Sequence, residues 1–318
     1  MTQADFADRI VVVTGGAGFI GSHLVDALIE RGATVRVLDD FSTGLRQNLS
    51  HHRARIELIE GTICSLADCQ EAIDGADYIF HQAALGSVPR SLEKPSQSIA
   101  VNVTGTANVF HAGRDANVKR IVYASSSSVF GDSSVLPKRE GEEGAVLSPY
   151  ALSKRMDEEL ASTFDRCFQL ETIGLRYFNI YGPRQRPDGP YAAVIPRFFA
   201  ACQRAESPVI HGDGEQSRDF TFVADAVQAN LCAAVAPRSA CGTAYNVGAS
   251  GQTTVNELAQ AVIRVTGAEV SVVHEEPRAG DVRHSNADTS KAQNALGYRA
   301  TTSLSEGLAK TWISLKEG

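Results

Sequence analysis

The 318-residue sequence predicts an α/β fold, a doubly wound parallel sheet joined to a smaller C-terminal substrate lobe that is not contiguous in sequence. Three observations carry this expectation. Short β-branched runs alternate with amphipathic helical stretches through the first 180 residues. A glycine-rich turn separates the first run from its helix. After Asn179 the alternation gives way to proline-rich loops and shorter mixed elements.

The strand-like runs fall at residues 10–14, 34–38, 56–59, 77–81, 120–125 and 172–176. Between the first two, residues 19–31 place Ile20, Leu24 and Leu28 every four positions and reach Gly32, a helix stop. Strands joined through helices form parallel sheets covered on both faces, with right-handed crossovers. Beyond Pro183, Pro187, Gly189 and Pro190, a helix is expected over 194–206 and strands over 220–223 and 244–247, the last returning to the main sheet. The expected division is residues 1–178 for the sheet domain, with returning segments near 220–247, and 179–318 mainly for the smaller lobe.

Composition narrows the function. The net charge is −7, from 30 Lys and Arg against 37 Asp and Glu, with no basic run. Nucleic acids and anionic membranes need a clustered positive surface, so neither is an expected partner. Six cysteines, at 64, 69, 167, 202, 232 and 241, form no Cys-x-x-Cys pair, so neither a zinc site nor a disulfide framework is expected, and no metal. No stretch approaches the roughly 18 apolar residues of a membrane span, and the amino-terminal residues lack a signal-like apolar core. The expected location is cytoplasmic.

The turn reads Thr14-Gly15-Gly16-Ala17-Gly18-Phe19-Ile20-Gly21. Gly15 permits the tight turn, Gly18 lets backbone approach a pyrophosphate, and Gly21 permits close packing of helix on sheet. The helix N-terminus presents free N–H groups and a partial positive charge to the phosphates. At the second strand's end, Asp39 can accept hydrogen bonds from both ribose hydroxyls and would repel a 2′-phosphate. Asp40 follows, with no arginine beside the pair, so NAD is favoured over NADP. This is the arrangement of a Rossmann-type dinucleotide site.

Chemistry is expected at Tyr150 and Lys154. Ser148 is a good N-cap and Pro149 suits the first helical position, so the tyrosine and lysine lie one turn apart on one face. Upstream, the apolar run from Arg120 ends in Ser125-Ser126-Ser127-Ser128. Ligands of doubly wound sheets bind beyond the strands' C-terminal ends, where these hydroxyls can meet the tyrosine over a nicotinamide ring. A free tyrosine has a pKa of about 10, and a nearby lysine cation favours its phenolate.

Together these residues resemble the extended short-chain dehydrogenase/reductases, and within them the nucleotide-sugar 4-epimerases. The likeness runs through His81-Gln82-Ala83-Ala84, Asn102-Val-Thr-Gly105, Arg176-Tyr177-Phe178-Asn179, Arg218-Asp219-Phe220 and Arg278-Ala-Gly-Asp281. The stretches His81 to Ser91 and Gly280 to Ser285 are similar to UDP-N-acetylglucosamine 4-epimerases. The resemblance implies that Tyr150 is the base, that Lys154 tunes it and holds the nicotinamide ribose, and that Ser126, with Ser127 and Ser128, binds near the sugar 4-hydroxyl. It implies NAD contacts from Phe19, Ile20, Asp40, Phe41, Ser42, Thr43, Thr62, Ile63, Gln82, Ala83, Ala84, Asn102 and Tyr177. It assigns a UDP-sugar to Ser87, Asn179, Gln185, Ala193, Val194, Arg218, Arg278, Asp281 and Ser285. Ser285 stands where galactose-specific relatives can carry a bulky tyrosine, so an N-acetyl group should fit beside it. A homodimer through residues 102–116 and 150–164 is implied as well.

The implied reaction removes the 4-hydroxyl proton through Tyr150 while hydride leaves carbon 4 for NAD. The 4-keto sugar then turns about its diphosphate and takes the hydride back on the other face, interconverting UDP-GlcNAc with UDP-GalNAc, and UDP-Glc with UDP-Gal as a second pair. NAD is regenerated each cycle and should stay bound. One departure stands at Gly61-Thr62-Ile63, where the family commonly has Gly-Asp-Ile near adenine; Thr62 carries no charge. A dehydratase is disfavoured because the resemblance calls for Thr-Asp-Glu where Ser126-Ser127-Ser128 stands. A UDP-hexuronate or UDP-N-acetylhexosaminuronate epimerase or decarboxylase stays open, its carboxylate held by serines and an arginine such as Arg90. From another class, a non-catalytic NAD-sensing module is opposed by the intact Tyr150/Lys154 pair.

Overall fold

The computed structural model describes residues 6–187, 192–277 and 283–317. Strands β1 (Ile10–Thr14), β2 (Thr34–Asp39), β3 (Ile56–Glu60), β4 (Tyr78–His81), β5 (Arg120–Ser126) and β6 (Thr172–Tyr177) follow the β-branched runs. Short strands β7 (Ile180–Tyr181), β8 (Val209–His211), β9 (Ser217–Arg218) and β10 (Thr221–Phe222) come next. The chain then returns as β11 (Thr243–Val247) and finishes with β12 (Thr253–Thr254), β13 (Val273–Glu275) and β14 (His284–Ser285). The main sheet has the order β11-β6-β5-β4-β1-β2-β3, and every neighbouring pair is parallel. This is the doubly wound, Rossmann-like sheet that the alternation predicts.

The pleat of β1 shows why both faces are covered. Val11 and Val13 point into a core with Leu24 and Leu28 of the helix Phe19–Glu30, while Val12 points to the opposite core with Ile79 and Ile121. Helices Phe19–Glu30 and Val223–Val235 cover the first face; Leu66–Ile73, Gly105–Asp115 and Pro149–Phe168 cover the second. A third core joins helices Val194–Gln203, Val255–Thr266 and Leu304–Glu317, with Trp312 stacked on Phe199 at 5.8 Å. Local sequence sets several boundaries. Thr254 and Glu257 form a reciprocal capping box, and Gly267 closes the same helix in the left-handed conformation.

Two element expectations shift. The helix expected to reach 206 ends at Gln203, because Ala205 takes a left-handed φ of 55°. The strand expected over 220–223 shrinks to Thr221–Phe222, because Val223 opens a helix whose Asp225 carboxylate binds the Thr301 and Thr302 backbone. Among the described residues no helix is long and apolar enough to cross a membrane.

The strand order reverses at β1, which has β2 on one side and β4 on the other. At such a switch point neighbouring connections leave in opposite directions and a crevice opens beyond the strand ends. The candidate site occupies that crevice.

Candidate active site

The crevice holds a cavity of about 470 Å³. Its floor is the glycine turn. Gly15 has φ +69°, and a Cβ there would lie 2.7 Å from the Ala83 backbone, so turn and β4 end meet at a separation only glycine allows. At Gly21 a Cβ would stand 2.1 Å from the Gly15 carbonyl oxygen, which explains how the helix closes on the turn. Gly18 is the N-cap of the helix Phe19–Glu30, no side chain caps that end, and no acidic residue enters its first turn. First-turn N–H groups are thereby left for an anion. Gly15, Gly18, Phe19, Ile20 and Gly21 all line the cavity.

Asp39 ends β2 at the cavity wall, 7% exposed. Its carboxylate accepts the Ala17 and Phe41 N–H groups at 2.8 Å each, and burial pushes its pKa up. Each carboxylate oxygen keeps a lone pair for a ribose hydroxyl. With Asp40, Ser42 and Thr43 beside it, this end of the cavity suits an unphosphorylated adenosine ribose. These features fit NAD.

At the other end Ala124, Ser125 and Ser126 of β5 face Tyr150 and Lys154 across the cavity. Ser148 caps the helix Pro149–Phe168 by accepting the Ala151 N–H at 3.1 Å, which fixes the tyrosine and lysine one turn apart. The Lys154 ammonium donates to the Ala124 carbonyl at 3.0 Å and to Asp157 at 3.1 Å. Behind it, His81 is wholly buried between the hydroxyls of Thr14 (2.7 Å) and Thr106 (2.9 Å), and burial pushes its pKa down to about 3. The imidazole is therefore neutral. Gln82, Ala83, Ala84, Ile63 and Tyr177 complete the lining already expected. The Tyr177 hydroxyl donates to Gln82 at 3.2 Å and accepts from Asn230 at 2.7 Å, while Asn230 accepts from Gln82 at 3.1 Å. That closed triangle fixes the lining residues Gln82 and Tyr177.

A second cavity of about 280 Å³ adjoins the first, and Asn179, Ile180 and Gln185 line both. Asn179 has φ 38° and donates to the Asp219 carbonyl at 3.2 Å. The left-handed conformation suits asparagine better than most side chains. Ala193, Val194 and Arg218 line this second cavity, and so does Arg197. No carboxylate is among its described lining residues. Asp219 turns away from it: its buried carboxylate accepts the Ala249, Ser250 and Ala287 N–H groups, and burial lifts its pKa to about 6.

Several expected contacts do not reach either cavity. Asn102 is fully buried and braces Leu85 and Ser153 instead; its neighbour Val101 takes the lining position. Thr62 donates its N–H to Asp68 and its hydroxyl oxygen accepts the Cys64 N–H, so Gly61 and Ile63 flank the cavity. Ser87 is spent capping the helix Val88–Glu93. Phe41 lies under the Arg46 guanidinium at 4.0 Å. Ser127 and Ser128 begin a 3₁₀ turn that leaves the strand, and Ser126 caps it by accepting the Ser128 N–H. Ser285 sits on β14 in register with Arg218 and lines neither cavity. Arg278 and Asp281 lie outside the described residues. Arg90 lines a recess that shares Ser42, Thr43 and Leu85 with the first cavity, away from the Tyr150 end.

Sequence reasoning missed Asn230, Arg197, Asp157 and Gln216, the last a lining residue of the second cavity. Only Asp157 left a local signal, one turn beyond Lys154 on its helix. Asp26, His51 and His52 converge within 4.8 Å, but Asp26 already bonds both imidazoles and Arg184, so ion pairing accounts for them.

A dinucleotide turn, an acidic ribose end and a Tyr/Lys pair facing strand-end hydroxyls define an NAD-using enzyme of the extended short-chain dehydrogenase/reductase class. Residues 11–248 match the NAD dependent epimerase/dehydratase family, and the chain belongs to it. It is 36% identical to a UDP-glucose 4-epimerase of Mycolicibacterium smegmatis, over 94% of this chain and 96% of that one. It is 34% identical to a UDP-N-acetyl-alpha-D-glucosaminuronate decarboxylase of Bacillus cytotoxicus, over 83% and 82% of the two chains. Among solved structures, a UDP-N-acetylglucosamine 4-epimerase from Methanobrevibacter ruminantium M1, in complex with UDP-N-acetylmuramic acid, superposes with a TM-score of 0.93. That likeness has 36% identity and covers 98% of this chain and 99% of the other.

Proposed function

We propose that the protein interconverts UDP-GlcNAc and UDP-GalNAc by 4-epimerisation, with UDP-Glc and UDP-Gal as a second substrate pair. The observation that carries the reading is the second cavity: it holds Arg197 and Arg218 with no carboxylate among its described lining residues, and it opens into the Tyr150 cavity at Asn179 and Gln185. A diphosphate seated by Arg218 would send its sugar toward Tyr150 and Ser126.

NAD, when bound, accepts hydride from sugar carbon 4 and returns it. Tyr150 takes the 4-hydroxyl proton as that hydride leaves, and gives the proton back to the opposite epimer. Lys154 supplies positive charge beside the phenolate that takes the proton. Ser126 offers a hydroxyl to the sugar's 4-oxygen. Arg218 grips the diphosphate throughout, so the 4-keto sugar can turn without leaving.

The acetylated pair is favoured by the likeness of residues 81–91 and 280–285 to UDP-N-acetylglucosamine 4-epimerases. For a hexuronate, one arginine suited to its carboxylate, Arg90, lines a recess at the Ser42 and Thr43 end of the first cavity and not at its Tyr150 end. Product analysis by NMR of a UDP-sugar panel, without added NAD, tests the proposal. Net conversion of UDP-GlcNAc to UDP-GalNAc is expected; decarboxylation of UDP-glucuronate, with no epimerised neutral sugar, would refute it.

A further inference from the structure

Lys154 has a buried counter-ion that the proposed reaction does not use. Its ammonium has three protons: one goes to the Ala124 carbonyl and one to Asp157, leaving the third for the cavity it lines. The two side chains are 3% and 1% exposed. A bare ammonium at that depth would carry a heavy desolvation cost, and the carboxylate one turn along offsets it. Resting on the epimerase reading, we propose that Asp157 is a positioning residue: it aims the Lys154 ammonium and, by offsetting its charge, sets the pH at which Tyr150 can take a proton.

The surroundings single Asp157 out. On the same helix, Glu158 is committed to Arg176 of β6 and to Ser125. Arg176 is also paired with Glu143. From β5, Tyr123 is neutral, its pKa driven up by burial. From β4, His81 is neutral and bonded to two threonines, and Thr106 of the helix Gly105–Asp115 gives its hydroxyl to the Asn102 carbonyl. Among the described residues Asp157 is thus the one carboxylate bonded to Lys154. Burial lifts its pKa to about 6, within the range where an enzyme works. Above that pH the pair is neutral; below it, Lys154 stands uncompensated next to Tyr150.

The test is the pH profile of epimerisation by the NAD-bound enzyme and its Asp157→Asn, Asp157→Ala and Asp157→Glu variants. Asn keeps an acceptor for Lys154 but deletes the charge. Its acidic limb should move to lower pH by roughly half to one unit, given two helical turns, about 10 Å, between Tyr150 and Asp157. The alkaline limb should move the same way, since Lys154 loses its counter-ion. Ala should show the same displacement with a plateau roughly ten-fold or more below that of Asn, as the ammonium loses its aim. Glu keeps the charge and should leave both limbs in place, which keeps the proposal testable if Asn does not fold. Limbs that stay fixed in Asn and Ala, or move in Glu, would overturn it. The Tyr150 phenolate absorbance, read against Tyr150→Phe, should shift in parallel and needs no turnover. If the wild type converts no UDP-sugar, the functional reading fails while this titration still judges Asp157.

Discussion

Replacing His81 by Asn should make the protein less sensitive to acid. His81 is bonded on both sides by threonines at the end of β4 and is wholly buried, with a pKa of about 3 against 6.5 in an unfolded chain. A histidine depressed on folding contributes stability that is present above 6.5 and lost as pH falls toward 3, because the unfolded chain takes up the proton first. Each pH unit in that window costs about 1.4 kcal/mol. Between pH 7 and pH 5 the wild type should therefore lose about 2 kcal/mol relative to the variant. Asp157 and Asp219, both lifted to about 6, act with the opposite sign, losing stability as pH rises through about 4 to 6. They are present in both proteins and cancel in the difference. Asn imposes a fixed penalty for its shorter reach, so the readout is the change with pH and not the offset. Urea titrations of both proteins, saturated with NAD, at pH 7, 6 and 5 measure it. A difference that stays flat to within about 0.5 kcal/mol over this range would mean that the imidazole is solvated or charged.

Other outcomes follow from the site. Tyr150→Phe should lower kcat by at least about 100-fold, the usual scale for a general base, while purified protein still carries NAD; a smaller loss removes the tyrosine from its role. Arg218→Ala should weaken UDP binding by calorimetry and leave NAD content unchanged, since Arg218 lines the second cavity only. Leu92, Leu152 and Met156 are exposed on helices that pack together, so we expect them to lie in a homodimer interface, with Leu152→Glu/Met156→Glu giving a monomer by sedimentation. A wild type that sediments as a monomer at micromolar concentration would refute that.

Much of this molecule was legible in the residues alone, where the physics is local. The glycine turn, Asp39 at a strand end and a Ser-Pro cap that sets Tyr150 and Lys154 one turn apart depend on backbone conformation within a few residues. Periodicity likewise marked the strands, because a buried parallel sheet demands near-continuous β-branched runs. What sequence could not decide is where a polar side chain spends its hydrogen bonds. Asn102 carries the right chemistry for a ligand, yet it is used up by the Leu85 backbone that folding brings alongside, while Thr62 and Ser87 are taken by N–H groups two and three residues on. Arg90 has a charge suited to a uronate but stands at the Ser42 and Thr43 end, away from Tyr150. Asn230 and Arg197 lie far along the chain from the residues they serve and enter the site only when helices Val223–Val235 and Val194–Gln203 dock. Asp157 is one helical turn from Lys154, but its weight comes from depth: β5 and the helix Gly105–Asp115 bury the pair, and only burial turns an ordinary helical ion pair into a control on proton transfer.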